Sequence, residues 1–258
     1  MYHQRNRSKT ILHVLAALLL SAALSTTASA QTDVAFSDGT FSSGWTSVVA
    51  GAASGDTDYT ITLTPETSGG YPGAWLKEQF YVRGTNVLIL WFASNPANTF
   101  TGTFTSLNYS YDLQNPGIGA DVGYEIAIEQ NGTIYIPGNP ITVEDGLITD
   151  HTAWAREPNP FFHTGLTASQ FCAVPSNFSD FVPLDCSSNP NFSTPATTVF
   201  GYTVGTSFLG GPHGGTSVSG IDNWCVVLVG ASGAPLTGSG PGCQGVSNLG
   251  TANTTSVN

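Results

Sequence analysis

The chain has 258 residues and a formal net charge of −11; 11% of its residues are aromatic and only 9% are charged. Six Lys or Arg stand against 17 Asp or Glu, which argues against nucleic acid or an anionic membrane surface as a partner, since both need basic patches. Long windows of helical period are absent, and β-branched or alternating runs recur between Gly, Pro and Asn clusters, so the expected fold class is all-β, a sandwich or barrel.

The chain opens on a stretch that reads as a secretory signal peptide over residues 1–30. Arg5, Arg7 and Lys9 form a basic region, Ile11 to Leu24 an apolar one, and Ala28-Ser29-Ala30 a cleavage site. The apolar stretch is shorter than the roughly 20 residues a membrane-spanning helix needs. Removing it takes three of the six basic residues and leaves Lys77, Arg83 and Arg156 against all 17 acids, a net charge of −14. The expectation is a secreted protein, extracellular or periplasmic, with one domain over residues 31–243 and a flexible tail over 244–258.

Strands are expected near Trp45–Val49, Tyr59–Leu63, Ala74–Val82, Val87–Ala93 and Gly102–Asp112, then near Gly123–Glu129, Thr133–Ile136, Ile141–Val143 and Thr152–Ala155. Two more follow near Thr198–Val204 and Gly220–Val229. That number of strands suits two packed sheets in one domain. Within "YEIAIEQNGTIYIPG", Asn131-Gly132 is a strong hairpin signal. A two-residue turn would pair Ile128 with Tyr135; a three-residue loop at Asn131–Thr133 would put Ile126, Ile128, Ile134 and Ile136 on one face. Burial of four isoleucines together favours the longer loop. The Pro-rich segment from Pro158 to Asn191 reads as a long loop in which "TGLTASQF" could make one helical turn. Four cysteines, Cys172, Cys186, Cys225 and Cys243, allow three connectivities. Short loops favour Cys172–Cys186 and Cys225–Cys243. Near the end, "SGIDNWCVVLVG" places an acid and an amide at the mouth of a strand that reads as covered on both faces.

The segments "FSDGTFSSGW", "GGYPGAW", "YEIAIEQNGTIY", "GLTASQF" and "SGIDNWCVVL", in that order, resemble secreted bacterial jelly-roll proteins of the concanavalin A-like or galactose-binding-like kind, among which carbohydrate-binding modules are common. The resemblance implies a jelly-roll β-sandwich of two antiparallel sheets. It also implies a structural calcium held by acids on the first and last strands. Asp222 is the matching acid on the last strand; Asp38, with Asp33 as alternate, is the one on the first. Hard oxygen ligands suit that ion, while an Asx cap before the strand is the competing reading of Asp222-Asn223. Glu125-Ile126-Ala127-Ile128-Glu129 resembles the E-x-D-x-E strand of laminarinase- and lichenase-type β-glucanases, whose two Glu are nucleophile and acid/base. Strand alternation points Glu125, Ala127 and Glu129 to one face, but Ala127 stands where that family has its Asp.

No catalytic constellation is complete. His151, His163 and His213 have no metal-ligand spacing, and no G-x-S-x-G elbow is present. The aromatic residues make the better binding argument, because sugar C–H faces stack on rings. Tyr71 and Trp75 flank Pro72-Gly73 at a loop–strand junction, and Tyr109 and Tyr111 share one sheet face. Trp45, Trp91 and Trp224 read as core. The expected function is a non-catalytic, carbohydrate-binding-like extracellular module with a polysaccharide as possible ligand. The alternatives are a glycan hydrolase using Glu125 and Glu129, or a purely structural protein.

Overall fold

The computed structural model describes residues 32–41, 44–53, 58–71, 73–83, 87–114, 121–138, 147–148, 155–157, 163–176, 184–208 and 215–235. The expected signal peptide and tail lie outside these residues, as do Cys243, Trp154, His151, His213 and the strand expected at Ile141–Val143. Fourteen strands run through the described residues: β1 (Thr32–Asp38), β2 (Thr46–Ala53), β3 (Asp58–Gly70), β4 (Gly73–Arg83), β5 (Val87–Thr103), β6 (Ser106–Gln114) and β7 (Asp121–Gln130) form the first half. β8 (Thr133–Pro137), β9 (Leu147–Ile148), β10 (Ala155–Glu157), β11 (His163–Leu166), β12 (Phe171–Ala173), β13 (Ala196–Phe208) and β14 (Gly215–Pro235) complete it. No α-helix occurs among the described residues.

The strands make a jelly-roll β-sandwich in which every pairing is antiparallel. One sheet runs β3-β4-β14-β6, with β10 and β11 on the far side of β6. Along β14, β4 pairs as far as Ile221, and β1 takes over that edge from Trp224 onward. The other sheet runs β2-β5-β13-β7-β8-β12, with β9 beside β7. The end of β14 crosses between them, pairing Ser232–Pro235 with Phe100–Thr103 of β5. At the crossing Gly102 and Gly233 are register partners, and a Cβ on Gly233 would lie 2.3 Å from the Thr101 carbonyl oxygen. No side chain fits where the two backbones approach so closely.

Alternation along each strand builds the core. Phe200, Tyr202 and Val204 of β13 and Tyr124, Ile126 and Ile128 of β7 face Leu107, Tyr109, Tyr111 and Leu113 of β6 and Trp224, Val226 and Leu228 of β14. Rings join the sheets: Phe36 stacks on Phe200 at 5.4 Å, and Trp45 meets Trp224 edge-on at 5.4 Å. Each such pair contributes about 0.5–1.5 kcal/mol beyond the area it buries. Trp45, Trp91 and Trp224 are core residues, as their sequence setting predicts. A smaller cluster of Leu90, Phe92, Ala127, Ile136 and Val174 covers part of the outer face of the second sheet.

That second cluster explains a departure from the sequence reading. The β7–β8 hairpin closes with the two-residue turn Asn131-Gly132, pairing Gln130 with Thr133 and Ile128 with Tyr135. Both turn residues have positive φ, 53° and 77°, which matches the twist of a tight hairpin. Tyr135 joins Ile126 and Ile128 in the main core, while Ile134 and Ile136 serve the outer cluster. The four isoleucines need not share a face, because both faces of this sheet are covered.

The long segment after Pro158 carries more regular structure than expected: β11, a single 3-10 turn at Ala168–Gln170, and β12. The turn falls in "TGLTASQF" as predicted, with the Thr167 N–H donating to Gln170 Oε1 at 2.9 Å. Cys172 and Cys186 are disulfide-bonded across a separation of 14 residues. In the chain-entropy account a loop of that size contributes about 3 kcal/mol. Cys225 is 2% exposed and disulfide-bonded.

Candidate functional site

Asp222 sits where β14 changes neighbours. Its register partner on β6 is Asp112, and the next paired position is Cys225 with Ser110, so one extra residue is accommodated on β14. Asn223 takes up the bulge with φ 50°, a conformation Asn tolerates better than most residues. Asp222 is fully buried; its Oδ1 accepts the Asn223 N–H at 2.6 Å, and its Oδ2 accepts the Tyr71 N–H at 2.5 Å. The Asn223 Nδ2 donates to Asp112 Oδ2 at 2.6 Å and to the Tyr71 carbonyl oxygen. The acid and amide, in mid-strand rather than at the mouth expected of them, therefore hold the β3–β4 turn, 151 residues away in sequence.

That turn carries the exposed aromatic ring of the site. Tyr71 is 59% exposed, although both its backbone polar groups are held from beneath. Trp75 is part-buried on β4 opposite Glu66, and its Nε1 donates to the Ser68 carbonyl at 3.0 Å. Gly70 lets the turn approach the acid: a Cβ there would lie 2.6 Å from Asp222 Oδ2 and 2.5 Å from the Ala74 carbonyl oxygen. The structure thus brings Tyr71 and Trp75 to one end of one hairpin and seats that end on Asp222 and Asn223.

The other expected residues fall elsewhere. Tyr109 and Tyr111 do share a face, with rings stacked at 5.7 Å, but that face is the core and each is 1% exposed. They offer no surface to a sugar, which corrects their expected role as ligand-binding residues: alternation placed them together but could not say which side was wet. Asp38 lies in register with Trp224 on β1. Its Oδ1 accepts the Thr40 and Phe41 N–H groups at 3.0 and 2.6 Å, and its Oδ2 accepts Trp45 Nε1 at 2.8 Å. Asp33 Oδ1 accepts the Gly230 N–H at 3.1 Å. Each of these acids closes a turn or pins β14, and the carboxylate in register with Asp222 is Asp112, not Asp38. Among the described residues no group of three or more His, Cys, Asp or Glu side chains is placed to hold a metal.

Glu125 and Glu129 share one parity along β7, with the fully buried Ala127 between them. The Glu125 carboxylate accepts the Tyr109 hydroxyl and, at 3.0 Å, the N–H of Ile126. Ile126 lies where β9 has ended and β8 has not begun along that edge, so the side chain supplies what a neighbouring strand would have supplied.

Glu78 was not legible as a site residue. It is fully buried on β4 between Leu76 and Phe80, in the inward parity of that strand. The hydroxyls of Tyr124 and Tyr202, from the opposite sheet, donate to its carboxyl, as does Ser219 Oγ at 3.0 Å. Burial raises its pKa from the ordinary 4.5 to about 7, against the three hydroxyls, which lower it. The same burial, with the neighbouring Glu78 charge, raises both tyrosines well above 10. A signal did exist: in "LKEQFYV" an acid occupies an apolar-parity position.

No family model and no curated protein matches the chain. Among solved structures it is similar to a family 11 carbohydrate-binding module from Clostridium thermocellum in complex with a β-1,3-1,4-mixed-linked tetrasaccharide, at 16% identity over 80% of this chain and 100% of that one, with a TM-score of 0.41. Carbohydrate-binding modules from the β-sandwich superfamily match at 14% identity over 72% and 58% of the two chains, TM-score 0.34. TmCBM61 in complex with β-1,4-galactotriose matches at 10% identity over 73% and 90%, TM-score 0.32. The sandwich assignment itself rests on the strand pairings and core described above.

Proposed function

We propose that the protein is a secreted, non-catalytic carbohydrate-binding sandwich that presents Tyr71, flanked by Trp75, as its sugar-stacking surface. The observation that carries this reading is the contrast at Tyr71: an exposed ring on a backbone fastened at its N–H to the buried Asp222 and at its carbonyl to the part-buried Asn223 of β14. Such a ring is preorganised, so little ordering cost is left for binding. The Cys172–Cys186 disulfide supports an oxidising compartment, and no helix among the described residues is long and apolar enough to cross a membrane. Titrating the protein with glycans selected on an array tests the reading. Tyr71→Ala should weaken binding by at least about fivefold, roughly 1 kcal/mol, and leave the melting temperature unchanged, because the backbone contacts remain. Unaltered affinity for every bound glycan would refute the platform.

The corner beneath the turn also supports a structural calcium, now with Asp112 in the place expected of Asp38. Two fully buried carboxylates stand in direct register there and gather the hard anionic oxygens that a divalent cation takes. The Tyr71 carbonyl oxygen, which accepts the Asn223 Nδ2, adds a third oxygen of the kind calcium takes. Chelation should lower the melting temperature, calcium should restore it, and Asp222→Asn should abolish the response. Indifference to chelator in a metal-stripped, calcium-refilled comparison would leave the corner a hydrogen-bonded one. The hydrolase alternative gains nothing from the geometry, since Glu125 is engaged by Tyr109 and Ile126.

A further inference from the structure

Glu78 and Ser219 are register partners on adjacent strands of one sheet. Tyr124 and Tyr202 come from adjacent strands of the other, with rings 6.0 Å apart. The four side chains meet in the interior and span both sheets. On the elements packed around the carboxyl, the titratable groups facing it are Tyr124 of β7 and Tyr202 of β13, with Tyr111 of β6 behind Tyr124. Ser219 of β14 and the apolar Leu76 and Phe80 of β4 complete the surroundings. Among the described residues, the carboxyl's partners are hydroxyls and none is a cation; the ion pairs involve Lys77 with Glu66 and Arg83 with Asp58, at the surface.

We propose that Glu78 with Tyr124, Tyr202 and Ser219 forms a proton-linked clasp between the two sheets, holding the sandwich more tightly in mildly acidic surroundings than above neutrality. A buried carboxyl without a cation is stable as the neutral acid, which can donate its own proton into the hydroxyl cluster. Ionised, it keeps three donors but loses the solvation that water gives it in the unfolded chain. The clasp is set at about 7 in the folded protein against 4.5 in the free side chain. Its contribution is therefore complete below 4.5, falls as pH rises between those values and is lost above the upper one.

The test is urea unfolding of the protein across pH 4–9, compared with Glu78→Gln, which keeps the shape and cannot ionise. The folding equilibrium constant of the wild type should fall, relative to the variant, by about 300-fold across the window, a tenfold loss per pH unit. Parallel profiles for the two proteins would overturn the proposal. Should Glu78→Gln fail to fold, carboxyl-carbon NMR of the wild type decides instead. One glutamate resonance titrating near neutrality, while the others titrate in the ordinary range, supports the clasp; all glutamates titrating in the ordinary range overturns it.

Discussion

Gly70 is the residue on which the candidate site most directly depends. Its φ is unremarkable for an L residue, but the space is not: a methyl group would overlap both the Asp222 carboxylate and the Ala74 carbonyl. One contact is with backbone and cannot swing aside. Gly70→Ala should therefore destabilise the fold by about 1–3 kcal/mol, read by chemical denaturation. It should also weaken glycan binding, because the turn that presents Tyr71 would lift off its seat. Tyr71→Ala separates the two effects, since it should reduce binding alone. At this scale the sequence identified Asp222 and Asn223 as anomalous and Tyr71 as a candidate. The partner Asp112 and the seat at Gly70 come from segments far away in the chain.

Among the elements, the β7–β8 hairpin shows local chemistry outranking a burial argument. Asn131-Gly132 prefers the two-residue turn, and the structure adopts it. Gly132 has φ 77° and open space around its α-carbon, so strain alone governs a substitution there. Gly132→Val should cost about 1–2 kcal/mol in denaturation experiments while leaving the β-sheet circular dichroism unchanged. A neutral result would mean that the turn is not held in the positive-φ form. β14 shows the same interplay over a longer span. Trp224, Val226 and Leu228 face the main core as alternation predicts, yet the strand needs a bulge at Asn223 to pass from one neighbour to the next.

For the whole molecule, Glu78 is a buried acid that joins the two sheets of the sandwich. The raised pKa of Glu78 makes folding stability depend on pH in the direction opposite to that of a salt-bridged carboxylate. On the order of 3 kcal/mol is present below 4.5 and gone above about 7. For a domain of ordinary marginal stability that is a sizeable fraction, so the calorimetric melting temperature should drop between pH 5 and pH 8 in the wild type and much less in Glu78→Gln.

Local patterns along the chain were enough to read the all-β class, the position of most strands, the Cys172–Cys186 bridge, and the burial of Trp45, Trp91 and Trp224. These follow from local periodicity, turn chemistry and short-range spacing, which are properties of neighbouring residues. It took the packing of distant strands to put the Tyr109–Tyr111 face in the interior while Tyr71 is exposed, and to give Ile134 and Ile136 to a second cluster. The same packing brings Asp222 to Asp112 and Glu78 to two tyrosines of the other sheet. The reason is physical: alternation with period two reports which side chains share a face, but whether that face meets water, a second sheet or a covering loop depends on strands that pair from far along the chain.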